Sequence, residues 1–147
     1  MSINVICVGK IAKNSPECLL VNEYKKRLGK TLTITEIDSK DYKEQNLIKI
    51  KEKELILSKL NSKNFVIALD QRGENLTSNE FAKIINQEKL PCFIIGGAFG
   101  LDQEILTRAN RIIAFGSLTW PHKIVRVMLF EQIYRAFTII SGHPYHK

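Results

Sequence analysis

Cysteine is scarce in this sequence, with three residues in 147, and the three are odd in number and unclustered. Cys7, Cys18 and Cys92 lie in apolar surroundings, so neither a disulfide framework nor a zinc site is indicated, and they read as reduced core thiols. Long apolar runs are missing as well. The uncharged stretches fall well short of the roughly 20 residues that cross a bilayer, so no membrane helix is expected. The opening MSINVICVGK carries no basic leader and its apolar run is broken by Asn4, so it reads as a first strand and places the protein in the cytoplasm. Three catalytic signatures are also lacking. Without G-x-G-x-x-G, and without an acid placed for a ribose, a nucleotide-dependent oxidoreductase is disfavoured. No phosphate loop with its Lys and Ser/Thr is present, and no G-x-S-x-G elbow supports a Ser-His-Asp hydrolase. Repeats, low-complexity tracts and linkers are absent too, so residues 1–147 read as a single domain.

What is present begins with charge. Twenty-two Lys and Arg against fifteen Asp and Glu leave a net +7, which draws a small protein towards polyanions and nucleic acid above all. Many of these lysines sit in EYKKRLGK and KIKEKELILSKLNSK, alternating with acids and apolar residues as solvated helix faces do, so charge alone leaves both readings open.

The pattern alternates strand and helix. INVICVG is a β-rich strand stopped by Gly9, and NSPECLLVNEYKKRLG is a helix capped by Ser15, with Pro16 at its first position and Gly29 as its stop. TLTITEI alternates as a strand, and YKEQNLIKIKEKELILSKL is helical, with SKDYK as its polar lead-in. FVIALD is a third strand, QRGEN a turn, and Thr77 with Glu80 a capping box that starts the next helix. CFIIGG and RIIAF then bracket a short helix over LDQEILTRAN, and a last helix begins near Pro121. Such alternation predicts an α/β fold with a mainly parallel sheet and helices on both faces.

In such sheets ligands gather at the carboxyl ends of the strands, which directs attention to the loops after FVIALD, CFIIGG and RIIAF. The glycines of FIIGGAFGLDQE let backbone approach a ligand, although a tight turn explains them equally. FGSLTWPH mixes small, hydroxyl and apolar residues and suits a flat, partly apolar ligand held by main-chain groups. On the last helix His122 and Arg126 share a face, Glu131 and Arg135 lie opposite, and nearly every other direction is apolar. A helix apolar all round is buried on more than one side, and one sheet covers only one, so a second copy of the chain is expected on the other. His143 and His146 have no acid or Cys beside them, and no metal is expected.

The segments FIIGGAFGL, SLTWPHKIVRVMLFEQIYRA and HPYHK, with INVICVGK and ALDQRGENLTSNEFA, resemble the ribosomal RNA large-subunit methyltransferase H family, whose members methylate a ring nitrogen of a pseudouridine. The match spans essentially the whole chain. Its specific part is the closing block, with the core T-x-P-H-x-x-x-R and the terminal Tyr-His, whereas the glycine motif is common. Gly116 and Ser117 stand where the family more often has a serine and another residue, and Trp120 replaces a commoner aliphatic or Phe.

The resemblance implies a SPOUT-class methyltransferase with a carboxyl-terminal trefoil knot, which binds S-adenosylmethionine in the knot and works as a homodimer on large-subunit ribosomal RNA or the ribosome. Ordinary topology rules would not suggest a knot. By matching positions, Leu69, Gly96, Phe115, Gly116, Ser117, Leu118, Thr119 and Trp120 contact S-adenosylmethionine, largely through backbone. The last segment is then threaded, packs the dimer and helps complete the active site, so His122, Arg126, Arg135, Tyr145 and His146 are the candidate catalytic residues. A uracil-type ring nitrogen bears a weakly acidic proton that some group, or water, must take. The alternative from another class is a non-catalytic ribosome-binding factor with the same fold and basic surface.

Overall fold

The computed structural model describes residues 1–38 and 42–147. Most of the SKDYK lead-in, Ser39, Lys40 and Asp41, lies outside the described residues. In chain order the elements are β1 (Ile3–Val8), α1 (Pro16–Leu28), a 3-10 turn (Gly29–Thr31), β2 (Leu32–Ile37), α2 (Gln45–Lys59) and β3 (Phe65–Asn75). They continue with α3 (Ser78–Gln87), β4 (Pro91–Ile95), α4 (Gln103–Arg108), β5 (Arg111–Ala114) and α5 (His122–Ile140). The local signals act as expected. Ser15 Oγ accepts from Cys18 N at 3.2 Å, and Gly29 takes a φ of +58°, a conformation open to glycine. Both bonds of the Thr77–Glu80 capping box form.

All five strands are parallel, in the order β2-β1-β4-β3-β5. Side-chain alternation along each strand feeds two cores. Ile3, Val5, Cys7, Ile67, Phe93 and Ile95 pack beneath α1, α3 and α5, whereas Ile6, Val8, Val66, Ala68, Cys92 and Ile94 pack beneath α2 and α4. β4 is therefore buried at every residue, which is why its sequence is a continuous apolar run. Cys7 and Cys92 are buried and free, and burial pushes their thiols up to about 12 and about 11. Cys18 is only half-buried on α1, so the expectation of a core thiol fails there.

The turn expected at QRGEN is part of β3 instead. Leu69 and Glu74 both pair with Ile113, with a register shift between them, and Asn75 pairs with Ala114. Ile113 is thus bridged by two stretches of the same strand. The reason lies at Gly73, where a Cβ would sit 2.6 Å from the Ile113 carbonyl carbon and 2.7 Å from that of Ile112, so only glycine lets the chain press onto β5.

α5 buries Arg126, Leu129, Phe130, Ile133 and Ala136, a single stripe at helical spacing. Ile124, Val127 and Met128 stay half-buried and Ile140 exposed, so within one chain the helix keeps apolar surface on a second side.

Candidate functional site

Two concavities flank the start of α5, separated by Ile113, Ala114 and Phe115, which line both. One is an apolar groove of about 490 Å³ between α1, α3 and α5, walled by Leu20, Tyr24, Leu76, Phe81, Val127 and Met128. The other, about 1040 Å³, opens at the carboxyl ends of β3, β4 and β5. Only the second lies where the loops of a parallel sheet converge.

Leu69, Gly96, Phe115, Gly116, Leu118, Thr119 and Trp120 all line this crevice, and so does His122. Ser117 is exposed on the same loop and is not part of the lining. Gly116 holds a φ of +87° with nothing within 4 Å of a Cβ built there, so its need for glycine is conformational. At Gly96 the tight turn accounts for the glycine. A Cβ there would meet the Leu101 side chain at 3.0 Å and the Gly100 backbone at 3.1 Å, so the constraint comes from the loop folding on itself.

Loop Phe115–Trp120 is held by one bond within it and two from outside. Trp120 Nε1 donates to the Phe115 carbonyl at 2.9 Å, Gly116 N donates to Asn75 Oδ1 at 3.2 Å, and the Thr119 hydroxyl donates to Gln71 Oε1. Midway along β3, Asp70 accepts from Arg72 Nε at 2.8 Å, from its Nη2 at 2.9 Å and from its backbone N–H at 2.9 Å. The Arg72 guanidinium, above all, holds the Asp70 carboxyl below its usual value, so it is an anion at neutral pH.

The candidate catalytic residues fall into two groups. His122 sits at the crevice beside Gly9, where a Cβ would lie 3.3 Å from its Nε2. Burial first, then the charges of Lys123 and Arg126, push its imidazole below the usual value, so the ring is neutral at pH 7. Arg126, one turn on, is 1% exposed, donating to the Gly9 carbonyl at 2.8 Å and to Glu36 Oε1 at 3.1 Å. It lies behind the crevice wall and is not part of the lining.

Arg135, Tyr145 and His146 form the second group, about 20 Å along α5 from His122 at 1.5 Å per residue. Arg135 binds Glu131 Oε1 through Nε at 3.0 Å, approaches His146 Nδ1 at 3.2 Å, and lies 4.8 Å over the Tyr145 ring. Tyr145 donates to Glu131 at 3.2 Å and meets Tyr134 edge-on. The closing tail is thus fixed to the end of α5, and within one chain it does not reach the crevice.

Sequence reading missed Gln45, Lys49 and Asp70 in the lining. Lys49 was hidden in an alternating charged helix, whereas Asp70, the last residue of FVIALD, had a signal in its position. Among the described residues, no group of three or more His, Cys, Asp or Glu is placed to hold a metal, and no helix is long and apolar enough to cross a membrane.

The crevice suits S-adenosylmethionine. Leu69, Ile95, Leu118 and Trp120 offer apolar surface of the kind a flat ring needs, the open face at Gly116 exposes main chain, and Lys49 and the Arg72-paired Asp70 add charge to the lining.

Comparison with known proteins agrees. Residues 1–146 match the family model described as predicted SPOUT methyltransferase. A protein called ribosomal RNA large subunit methyltransferase H from Clostridium botulinum (strain Kyoto / Type A2) is 44% identical over 160 residues, covering 100% of both chains. The protein of that name from Clostridium beijerinckii is likewise 44% identical over 160 residues at 100% coverage of both. A parallel α/β sheet, a glycine-rich crevice at its carboxyl edge and a full-length family match together place this chain in the SPOUT methyltransferase family.

Proposed function

We propose that this methyltransferase acts as a cytoplasmic homodimer, moving a methyl group from S-adenosylmethionine to a ring nitrogen of a pseudouridine in large-subunit ribosomal RNA on assembled ribosomes. The name shared by its relatives supports large-subunit ribosomal RNA as the methyl acceptor, and the net charge of +7 suits a phosphate-rich partner. The observation that carries the reading is the gathering of Leu69, Gly96 and loop 115–120 with His122 around one crevice.

S-adenosylmethionine supplies an electrophilic methyl group on a positively charged sulfur. The lining residues would hold that donor beside the acceptor nitrogen, and alignment would be the larger part of the catalysis. His122, neutral and at the crevice, accepts the proton that the ring nitrogen gives up. Arg126 holds Gly9 and α5 together behind it. Arg135, Tyr145 and His146 present a guanidinium, an aromatic face and an imidazole, a set suited to stacking a splayed base and stabilising its anion. A second copy packed on the apolar groove and on the open side of α5 brings this cluster to the crevice that its own chain leaves it about 20 Å from.

Labelled methyl transfer to ribosomes from cells lacking the protein, set beside naked RNA, tests the reading. Transfer to ribosomes at one pseudouridine is expected. No transfer to either would leave a ribosome-binding factor in its place.

A further inference from the structure

The stretch Asp70–Asn75 is tied at nearly every residue, yet no step above uses Gln71 or Asn75. Asp70 and Arg72 close on each other, Gly73 presses on the backbone of Ile112 and Ile113, and Glu74 pairs with Arg111. From this braced segment two side chains reach out to the crevice loop. Asn75 Oδ1 takes the Gly116 N–H at one end of the loop and Gln71 Oε1 takes the Thr119 hydroxyl at the other. Between these ties Ser117 is exposed and Leu118 is 70% exposed, so the loop has little packing of its own to fix it.

We propose that Gln71 and Asn75 are positioning residues that hold loop Phe115–Trp120 in the shape that receives S-adenosylmethionine. The proposal rests on the crevice being the cofactor site. A loop released from both ties samples more conformations, and binding then bears the cost of ordering it. Both residues act as acceptors, so the carboxylate of Glu or Asp replaces either, whereas a methyl group replaces neither.

The test is calorimetric titration of S-adenosylmethionine into the wild type and into Gln71→Ala, Gln71→Glu, Asn75→Ala and Asn75→Asp. Each alanine variant is expected to bind about tenfold more weakly, which is about 1.4 kcal/mol. The Glu and Asp variants should recover most of that loss. The Michaelis constant for ribosomes should stay within about twofold. Trp120, the sole tryptophan, reports the loop without ligand, and acrylamide should quench it more readily in the alanine variants. Gln71 is exposed, so its variants remain informative should Asn75→Ala fold poorly. Wild-type binding with unchanged affinity in the alanine variants would overturn the proposal, as would Glu and Asp variants no better than alanine. A wild type that binds no S-adenosylmethionine would instead overturn the reading of the crevice itself.

Discussion

Replacing Arg126 by methionine keeps most of the buried volume and removes the charge, and it is expected to cost about 2–3 kcal/mol of stability. The figure comes from the two ties. Hydrogen bonds from a charged donor contribute about 1.5–3 kcal/mol each, and breaking a fully buried ion pair costs about 3–5 kcal/mol. Glu36 is only partly buried, its side chain 35% exposed, so water solvates the carboxylate left behind and the upper range does not apply. The Gly9 carbonyl is the greater loss, because its 2.8 Å bond joins the end of β1 to α5. In a chain of this size about 2–3 kcal/mol corresponds to a fall in melting temperature of roughly 5–10 °C. Glu36→Gln keeps an acceptor oxygen and should cost less than about 1 kcal/mol. Differential scanning calorimetry of the two variants decides it. A melting temperature for Arg126→Met equal to the wild type would remove the structural role of Arg126, and Glu36→Gln costing as much as Arg126→Met would shift the weight from the carbonyl to the charge pair.

Deleting Tyr145, His146 and Lys147 should leave S-adenosylmethionine affinity and the dimer nearly intact while methyl transfer falls at least tenfold, or about 1.4 kcal/mol in the barrier; full activity, or loss of the dimer, would contradict this. Light scattering at micromolar concentration should give twice the chain mass, and Met128→Asp in the apolar groove should give a folded monomer; a monomeric wild type would refute the dimer. For His122 the folded value lies below the unfolded one, so the unfolded chain binds the proton first and stability falls as pH drops below about 6.5. Relative to His122→Gln, the wild type should therefore lose melting temperature between pH 7 and pH 5, and parallel curves would show that His122 is not desolvated.

The parts of this fold legible in sequence are those fixed within a few residues. Ser15 and Pro16 start α1, Thr77 and Glu80 start α3, and the apolar run Pro91–Ile95 announces a strand covered on both faces. What escaped depends on residues far apart in the chain. QRGEN has the composition of a turn, and only the backbone of Ile112 and Ile113 makes it strand. Arg126 shares a helix face with His122 in the sequence, and its tie to Glu36, ninety positions earlier, has no signal there. Gly96 was legible as a glycine of a tight turn, but its particular neighbours, Leu101 and Gly100, were not. Within the site the loop residues 115–120 were named from resemblance, whereas the ties from Gln71 and Asn75 that shape them had no sequence signal.

The double bridging of Ile113 also bears on how the protein behaves in a crowded cell. Ile113 bridges Leu69 and again Glu74, and Asn75 pairs with Ala114, so freeing the last strand in the sheet order, the first step in recruiting another chain, means breaking two sets of contacts with β3. The unguarded margin is β2, whose Thr33, Thr35 and Glu36 put hydroxyls and a charge where a stray strand would add. By holding β5 twice, the segment that also ties loop 115–120 resists the edge fraying from which aggregation starts.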